Sequence, residues 1–348
     1  MSGERRGRMT LQMRRLSLSL VVTVVLVTGA LVAGAVALAQ EIQFYRIGTG
    51  GTAGTYYPVG GLIANAISNP PGSLACDKGG SCGVPGLVAM VQSSGGSIEN
   101  VDGVGAGKLE LALSQADIAY WAYHGTGLYR DKGAVANLRA IANLYPESLH
   151  VVVRRDAGIA SIADLKGKRV ALGERGSGTL VEAKAVLDAY GFSEADFEPH
   201  FLKPGEASLA LGDGAIDGFF LVAGYPVTAI AEIARTVEID VLAIGEAEAE
   251  SVVAFYPFFT RSIIPADVYS GVGEVATISI GAQLLVAAEI DEEVVYQITA
   301  ALWHDNARHL LDQGHAKGKD IRLETALDGI AVPLHPGAER YYKEAGLL

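Results

Sequence analysis

Two spacings of apolar residues alternate along this chain, and together they predict alternating strands and helices. Residues 42–48 alternate imperfectly between apolar and polar positions, as a strand does, and lead into Gly48-Thr-Gly-Gly-Thr-Ala-Gly-Thr55. After that turn, Val59, Leu62, Ile63 and Ala66 recur on one face of a helix over 56–68. Pro58 falls in its first turn, where the missing N–H costs nothing. Residues 84–91 predict a buried strand. Ser93-Ser-Gly-Gly-Ser97 then opens a short helix through Ile98, Val101 and Val104, and residues 110–113 predict a strand ending at Ser114-Gln-Ala-Asp117.

Apolar stretches at 138–144 and 149–153 flank Tyr145-Pro146-Glu147, which reads as a crossing point between domains. A short helix, a glycine turn and a strand follow over 163–172. Gly176-Ser-Gly-Thr179 introduces a helix over 180–190, with Thr179 and Glu182 spaced as a capping box and Gly191 as its terminating glycine. Strands are expected at 218–222 and 241–244. From about residue 250 the pattern resembles the first part again, and helices near 291–313 and 338–347 close the chain. The expected fold class is α/β in two lobes with two crossovers. Residues 40–147 form the first part of lobe one, 148–250 lobe two, and 251–348 the return to lobe one.

The first 39 residues are of a different kind. Five arginines against one glutamate precede an apolar run over 16–38, which ends in Ala37-Leu38-Ala39. Those are the basic, apolar and small-residue regions of a secretory signal peptide. A retained membrane anchor is the competing reading, since the run is about the ~20 residues that span a bilayer. Ser17, Ser19, Thr23 and Thr28 dilute the run, and the cleavage pattern favours removal. Arg14-Arg15 matches a twin-arginine signal only weakly, so Sec export is expected. No cysteine lies near the cleavage site to carry a lipid.

Half of the 348 residues are apolar, which excludes intrinsic disorder, and the length accommodates two domains of about 150 residues. The net charge of −12 argues against a nucleic-acid partner, which requires a basic stripe. Without its basic leader, the rest of the chain is more acidic still. In an exported protein Cys76 and Cys82, enclosing Asp-Lys-Gly-Gly-Ser, pair by default as a disulfide. A metal site there would need four ligands, and no histidine is near in sequence.

The loop over 48–55 has the composition of a binding element. Four glycines and three threonines in eight residues serve stability poorly, because glycine loses the most entropy on folding. Its N–H groups, at a helix start, suit a carboxylate or phosphate. Gly176 to Thr179 repeats the arrangement in the second lobe, although an ordinary turn with a cap would look the same. Gly48-x-Gly50-x-x-Ala53 fits a permissive dinucleotide fingerprint, but the acidic residue expected about 20 positions on is missing. Gly176-Ser177-Gly178 is not a G-x-S-x-G elbow. The seven histidines (His124, His150, His200, His304, His309, His315 and His335) are scattered, and His304 and His309 are spaced too far apart for a zinc pair. No catalytic constellation and no cofactor site emerges.

The run from Phe44 to Gly61 closely resembles the signature of TAXI-type solute receptors of TRAP transporters. The resemblance continues through Ser81-Cys-Gly-Val-Pro-Gly86, Ser94 to Asn100, Leu113 to Tyr120, Tyr145-Pro-Glu147, Asp164 to Val170, Gly176 to Thr179, Gly224-Tyr-Pro226 and His335 to Ala338. It implies a periplasmic-binding-protein fold of type II-like form, two lobes with a ligand cleft and a double crossover. It also implies a monomeric, non-enzymatic, extracytoplasmic receptor that hands its solute to membrane permease subunits driven by an ion gradient. Family solutes include glutamate, glutamine and 2-oxoglutarate, so a small anionic or zwitterionic carboxylate is expected.

Carried over residue by residue, the resemblance puts Thr49, Gly50, Gly51, Thr52, Thr55, Tyr56, Ser94 and Ser97 on the first lobe's side of the cleft. Gln115, Asp117 and Tyr120 align with the family's loop facing the cleft. Asp117 or Glu147 would hold an amino group, or serve as a helix cap or a solvated charge. Ser177, Gly178 and Thr179 would meet the solute from the second lobe. Arg175 would pair with a second carboxylate or stay solvated, and Tyr56, Tyr145 and Tyr225 would wall the cleft or simply pack. Ala53 departs from the glycine common in relatives. The alternative function is an exported sensing or scavenging protein without a permease.

Overall fold

The computed structural model describes residues 42–348, so the expected signal peptide lies outside the described residues. Its first strand, β1 (Gln43–Gly48), is joined by helix α1 (Tyr56–Ile67) to β2 (Leu87–Gln92), which runs parallel beside it. Val59, Ile63 and Ile67 recur at helical spacing and are fully buried, which pins α1 against the sheet. Helix α2 (Ser97–Gly105) leads to β3 (Leu111–Gln115), which passes directly into α3 (Ala116–His124). The expected strand over 84–91 is broken: Val84–Pro85 pairs only with Ser68–Asn69, and Gly86, at φ 82°, turns the chain into β2.

Strand β4 (Leu138–Arg154) is one 17-residue strand that takes in both apolar stretches and passes unbroken through Tyr145-Pro146-Glu147. In the second lobe follow β5 (Arg169–Ala171), α4 (Gly178–Ala189), β6 (Glu198–His200), α5 (Pro204–Gly212) and β7 (Gly218–Ala223). Then come α6 (Thr228–Ile233), β8 (Ile239–Val241), α7 (Glu246–Phe255), β9 (Thr260–Ile264) and β10 (Val275–Ala287). Helices α8 (Glu292–Leu302), α9 (Asp305–Gly314) and α10 (Pro336–Glu344) finish the chain.

The strand order is β2-β1-β3-β10-β4-β7-β5-β6, with β8 beside β4 and β9 beside β10. Two long antiparallel strands make the double crossover. The first half of β4 pairs with the end of β10 in lobe one, and the second half, Ser148 to Val153, pairs with β7 in lobe two. At the crossing, Pro146 faces Gly281 and Glu147 faces Ile280. The expected return at residue 251 falls later, near Gly281. Val252, Phe259, Ile278 and Ile280 pack in a second-lobe core with Val170 and Leu172, because β9 and the start of β10 extend that lobe's sheet. A separate apolar cluster, with Ile47, Ile63, Leu113 and Val286, forms the core of lobe one.

Parallel strands point their carboxyl ends at the gap between lobes, where ligands of open α/β sheets bind. β1 and β3 open onto it from lobe one, β5 and β7 from lobe two.

Candidate functional site

The lobes are in contact. Thr55 Oγ1 donates to the Gly224 carbonyl at 2.5 Å, and the Ala229 N–H donates to the Ala53 carbonyl at 3.1 Å. On the opposite rim the N–H groups of Ile98 and Glu99 share the Gly176 carbonyl, at 3.2 and 3.3 Å. Between these rims lies a cavity of about 60 Å³, room for a few water molecules. The structure is thus the closed arrangement of the two lobes.

Lobe one lines this cavity with Gly50, Gly51, Thr55, Tyr56, Ser97 and Gln115. Tyr56 Oη donates to Glu147 Oε2 at 2.7 Å and lies 3.5 Å from Ser97 Oγ. Ser97 Oγ donates to Gln115 Oε1 at 2.9 Å and accepts from the Gln115 N–H. Lobe two contributes Glu174, Ser177, Gly178 and Thr179, with Phe220 to Ala223 of β7 as an apolar floor. Gln115 Nε2 reaches across to Glu182 Oε2 at 3.4 Å.

The α4 start differs from expectation. Ser177, not Thr179, is the N-cap: its Oγ accepts from the Leu180 N–H at 3.2 Å. Thr179 lies inside the first turn, and its Oγ1 accepts the Val222 N–H, tying α4 to β7. Glu182 is fully buried and points toward the other lobe's Gln115 instead of back to the helix end. Gly178 and Thr179, whose first-turn N–H groups have no acceptor within the helix, line the cavity. Ser177 Oγ donates to the Glu174 carbonyl, so it is a structural hydroxyl with no basic partner.

Several other expected site residues lie elsewhere. Thr49 and Ser94 are buried behind the loop: Ser94 Oγ and Asn100 Nδ2 both bond the Thr49 carbonyl, which fixes the loop's course. Thr52 is exposed on an outer groove. Arg175 is exposed with its guanidinium over the Phe201 ring at 4.0 Å, outside the cavity. Tyr120 packs against His124 and Phe258 and faces a separate aromatic groove. Tyr145 is buried beside the cavity, its hydroxyl without a partner. Tyr225 is covered by Lys317 Nζ, 3.8 Å above its ring. Asp117 is wholly buried: Oδ1 accepts the Ile118 N–H and Oδ2 has no partner.

Glu174, Glu182 and Lys317 escaped the sequence. Glu182 sits at the spacing of a capping box, a signal that pointed to the wrong role. Lys317 lies in a short helical turn far along the chain, and nothing local marks it as a buried cation.

The site is acidic. Burial raises the Glu147 carboxyl to about 8, with Asp117 adding to the rise and Tyr56 and Lys317 opposing it. Burial alone raises Asp117 to about 7, and Glu182 is pushed well above the carboxylate range. Glu174, half buried, rises to about 7. Such shifts mark groups whose ionised form lacks a counter-charge.

Cys76 and Cys82 form a disulfide, as expected. Folding also brings His304 Nε2 to 3.9 Å from Cys76 Sγ, a proximity that sequence distance concealed. With both sulfurs in the disulfide, no thiolate is left there to bind a metal. Among the described residues this is the one His/Cys/Asp/Glu grouping of metal-binding spacing, and no helix among them is long and apolar enough to cross a membrane.

The NMT1-like family matches residues 47–346, nearly the whole described chain. This chain belongs to the NMT1-like family. A protein of Bordetella bronchiseptica, 14% identical, superposes with a TM-score of 0.50 over 87% of this chain and 82% of that one. This NMT1-like chain shares its fold. The alkanesulfonate-binding protein SsuA of Xanthomonas axonopodis pv. citri, bound to MOPS, is 17% identical with a TM-score of 0.48, covering 88% of this chain and 85% of its own. The periplasmic aliphatic sulphonate binding protein SsuA of Escherichia coli is 16% identical with a TM-score of 0.43, covering 87% and 79%. Two lobes, a cleft between them and a double crossover give the NMT1-like chain the expected periplasmic-binding-protein architecture.

Proposed function

We propose that this chain is the extracytoplasmic solute receptor of a TAXI-type TRAP transporter. It captures a small carboxylate between its lobes and presents the closed form to a membrane permease. The observation that carries this reading is the cavity itself. It is walled from both lobes, bridged at its rims by hydrogen bonds between them, and floored by the carboxyl ends of parallel strands. Gly50 and Gly51 of the loop before α1, and Gly178 and Thr179 at the start of α4, line it, and backbone of this kind suits a carboxylate. Family membership and the leader with its signal-peptide pattern support export and solute capture.

A protein of this kind exchanges an open for a closed form, and its solute stabilises the closed one. Glutamate, glutamine and 2-oxoglutarate are the first solutes to titrate against the mature protein. A rise in melting temperature with one of them, and solute uptake restored in vesicles by adding the receptor to its permease, would support the reading. Binding without any effect on uptake would leave a scavenging or sensing protein in its place.

A further inference from the structure

We propose that the Cys76–Cys82 bond is a thiol–disulfide exchange centre, opened by an external dithiol and assisted by His304 and Asn306 at the start of α9. It is separate from the solute cleft, since neither cysteine and neither partner lines the interlobe cavity.

Each sulfur of the bond faces an N–H donor from the same helix start. Asn306 Nδ2 lies 3.1 Å from the Gly80 carbonyl, an oxygen that only accepts, so the amide turns its NH2 this way. The same NH2 is 2.8 Å from Cys82 Sγ. His304 Nε2 is 3.9 Å from Cys76 Sγ. His304 Nδ1 accepts the Asn306 N–H at 3.2 Å, which leaves the proton of the neutral ring on Nε2, facing that sulfur. His304 is therefore placed as a donor to sulfur and not as a metal ligand. A neutral sulfur is a weak acceptor and gains little from such donors. A thiolate carries a full charge, and a hydrogen bond to an ionised acceptor is roughly twice as strong as a neutral one. The N-terminus of α9 favours a thiolate in the same sense, while Asp305 in its first turn opposes it. These surroundings favour the opened, ionised pair over that of a disulfide with no donors beside it.

The bond is also within reach of an attacking thiol. Both cysteines are half-buried, and Cys82 lines a groove of about 450 Å³ beside α1 and α9, with Asn65, Gly80, Asn306 and Leu310. A thiolate of the dithiol entering by this groove attacks Cys82 Sγ. A mixed disulfide forms there, the Cys76–Cys82 bond breaks, and its electron pair leaves on Cys76 Sγ, facing the His304 N–H. The second thiolate of the dithiol then attacks the dithiol's own bound sulfur. That step closes an intramolecular disulfide and releases Cys82 as a thiolate facing Asn306. The dithiol is oxidised by two electrons and the protein disulfide is reduced by two, while the two dithiol protons pass to the cysteines or to solvent. Opening leaves other anchors on the loop: Asn306 holds the Gly80 carbonyl, Ser81 bonds the Ser68 carbonyl, and Asn69 Nδ2 reaches the Gly83 carbonyl at 3.4 Å.

The test equilibrates the mature protein at neutral pH with mixtures of reduced and oxidised dithiothreitol and counts its free thiols by alkylation and mass spectrometry. Half-reduction of His304→Ala and of Asn306→Asp should each need a ratio of reduced to oxidised dithiothreitol about tenfold higher than the wild type, the factor expected for one hydrogen bond to a charged group. Asn306→Asp keeps the shape of the side chain and replaces its donor with an acceptor. In a second measurement, the reduced wild type should react with iodoacetamide at least threefold faster folded than unfolded in urea, because only the folded chain brings the donors to its thiolates. His304→Ala should lose that advantage, which a purely structural role for His304 would leave in place. The second measurement needs the wild type alone, so it decides the matter even where a variant folds poorly. Half-reduction within twofold across the variants, or thiols no faster in the folded chain than in urea, overturns the exchange centre and leaves an inert staple.

Discussion

Gly178 of the second lobe lies so close to Gln115 of the first that a Cβ at position 178 would overlap Gln115 Oε1. Gln115 is held there by Ser97 and by Glu182, so it cannot move aside without breaking both contacts. Gly178→Ala should disfavour the closed form by about 2 kcal/mol, the worth of two hydrogen bonds, and weaken solute binding by about thirtyfold. Gln115→Ala should lose affinity by itself, and adding Gly178→Ala to it should cost almost nothing more. Additive losses in that double-mutant cycle would show that the two residues do not compete for one space.

Ser177→Ala tests whether the second glycine loop is held by its cap. The hydroxyl accepts from Leu180 N–H and donates to the Glu174 carbonyl, so its loss should cost about 1 kcal/mol of stability. A fall of about 2 °C in melting temperature would be expected for a chain of this size. Thr52→Ala serves as the control, because Thr52 is exposed outside the cavity and its loss should leave solute affinity as it was. A tenfold loss there would place the solute in the outer groove.

Stability of the ligand-free protein should depend on pH in an unusual direction. A carboxyl whose pKa is higher in the folded chain binds its proton more tightly there, so its folded form loses stability as pH rises. For Glu147 the loss runs from near 4.5 up to about 8, and for Asp117 from 3.8 up to about 7. The groups facing Glu147 are Tyr56, Tyr145, Asp117, Glu182 and Lys317, and the single cation among them does not reverse the sign. Surface pairs such as Arg169 with Asp217 act oppositely, holding the carboxyl low and contributing stability that is lost only in acid. The melting temperature should therefore fall between about pH 5 and pH 8, and Glu147→Gln should flatten the slope. A melting temperature that rises steadily to pH 8 in the wild type would contradict it.

Much of this site was legible because short-range rules wrote it. The glycine loop after β1 and the Ser177-capped start of α4 are local features, and both line the cavity. Tyr56, Ser97, Gln115 and Glu147 could be named through the family resemblance and meet there. What failed did so for physical reasons. The crossing at Tyr145-Pro146-Glu147 was readable, but not that one strand carries it: Pro146 is exposed there and β4 runs through it. Residues 251–280 resemble the first lobe in pattern, but β9 pairs with the start of β10 and keeps them in the second. Thr49 and Ser94 belong to the binding loop by sequence and to its scaffold by contact, a distinction that only side-chain direction reveals. Lys317 and Glu182 act through contacts between lobes, and sequence spacing carries no trace of those.

The disulfide provides the last prediction. Cys76 and Cys82 are six positions apart, so their bond closes a short loop away from the cavity. By chain entropy such a loop contributes about 2 kcal/mol, less if the reduced segment keeps its structure. Asn306 Nδ2, which bonds both the Gly80 carbonyl and Cys82 Sγ, ties the loop to α9 and would keep one anchor without the sulfur. Replacing both cysteines by alanine should thus lower the melting temperature by a few degrees and leave solute affinity within about twofold. A direct route from this loop to the cavity is α1: Ser81 bonds the Ser68 carbonyl at its far end, and Tyr56 lines the cavity at its near end. Val59, Ile63 and Ile67 are fully buried along that helix, so loosening its last turn should not move Tyr56. A tenfold change in affinity in the double variant would show that α1 transmits strain along its length.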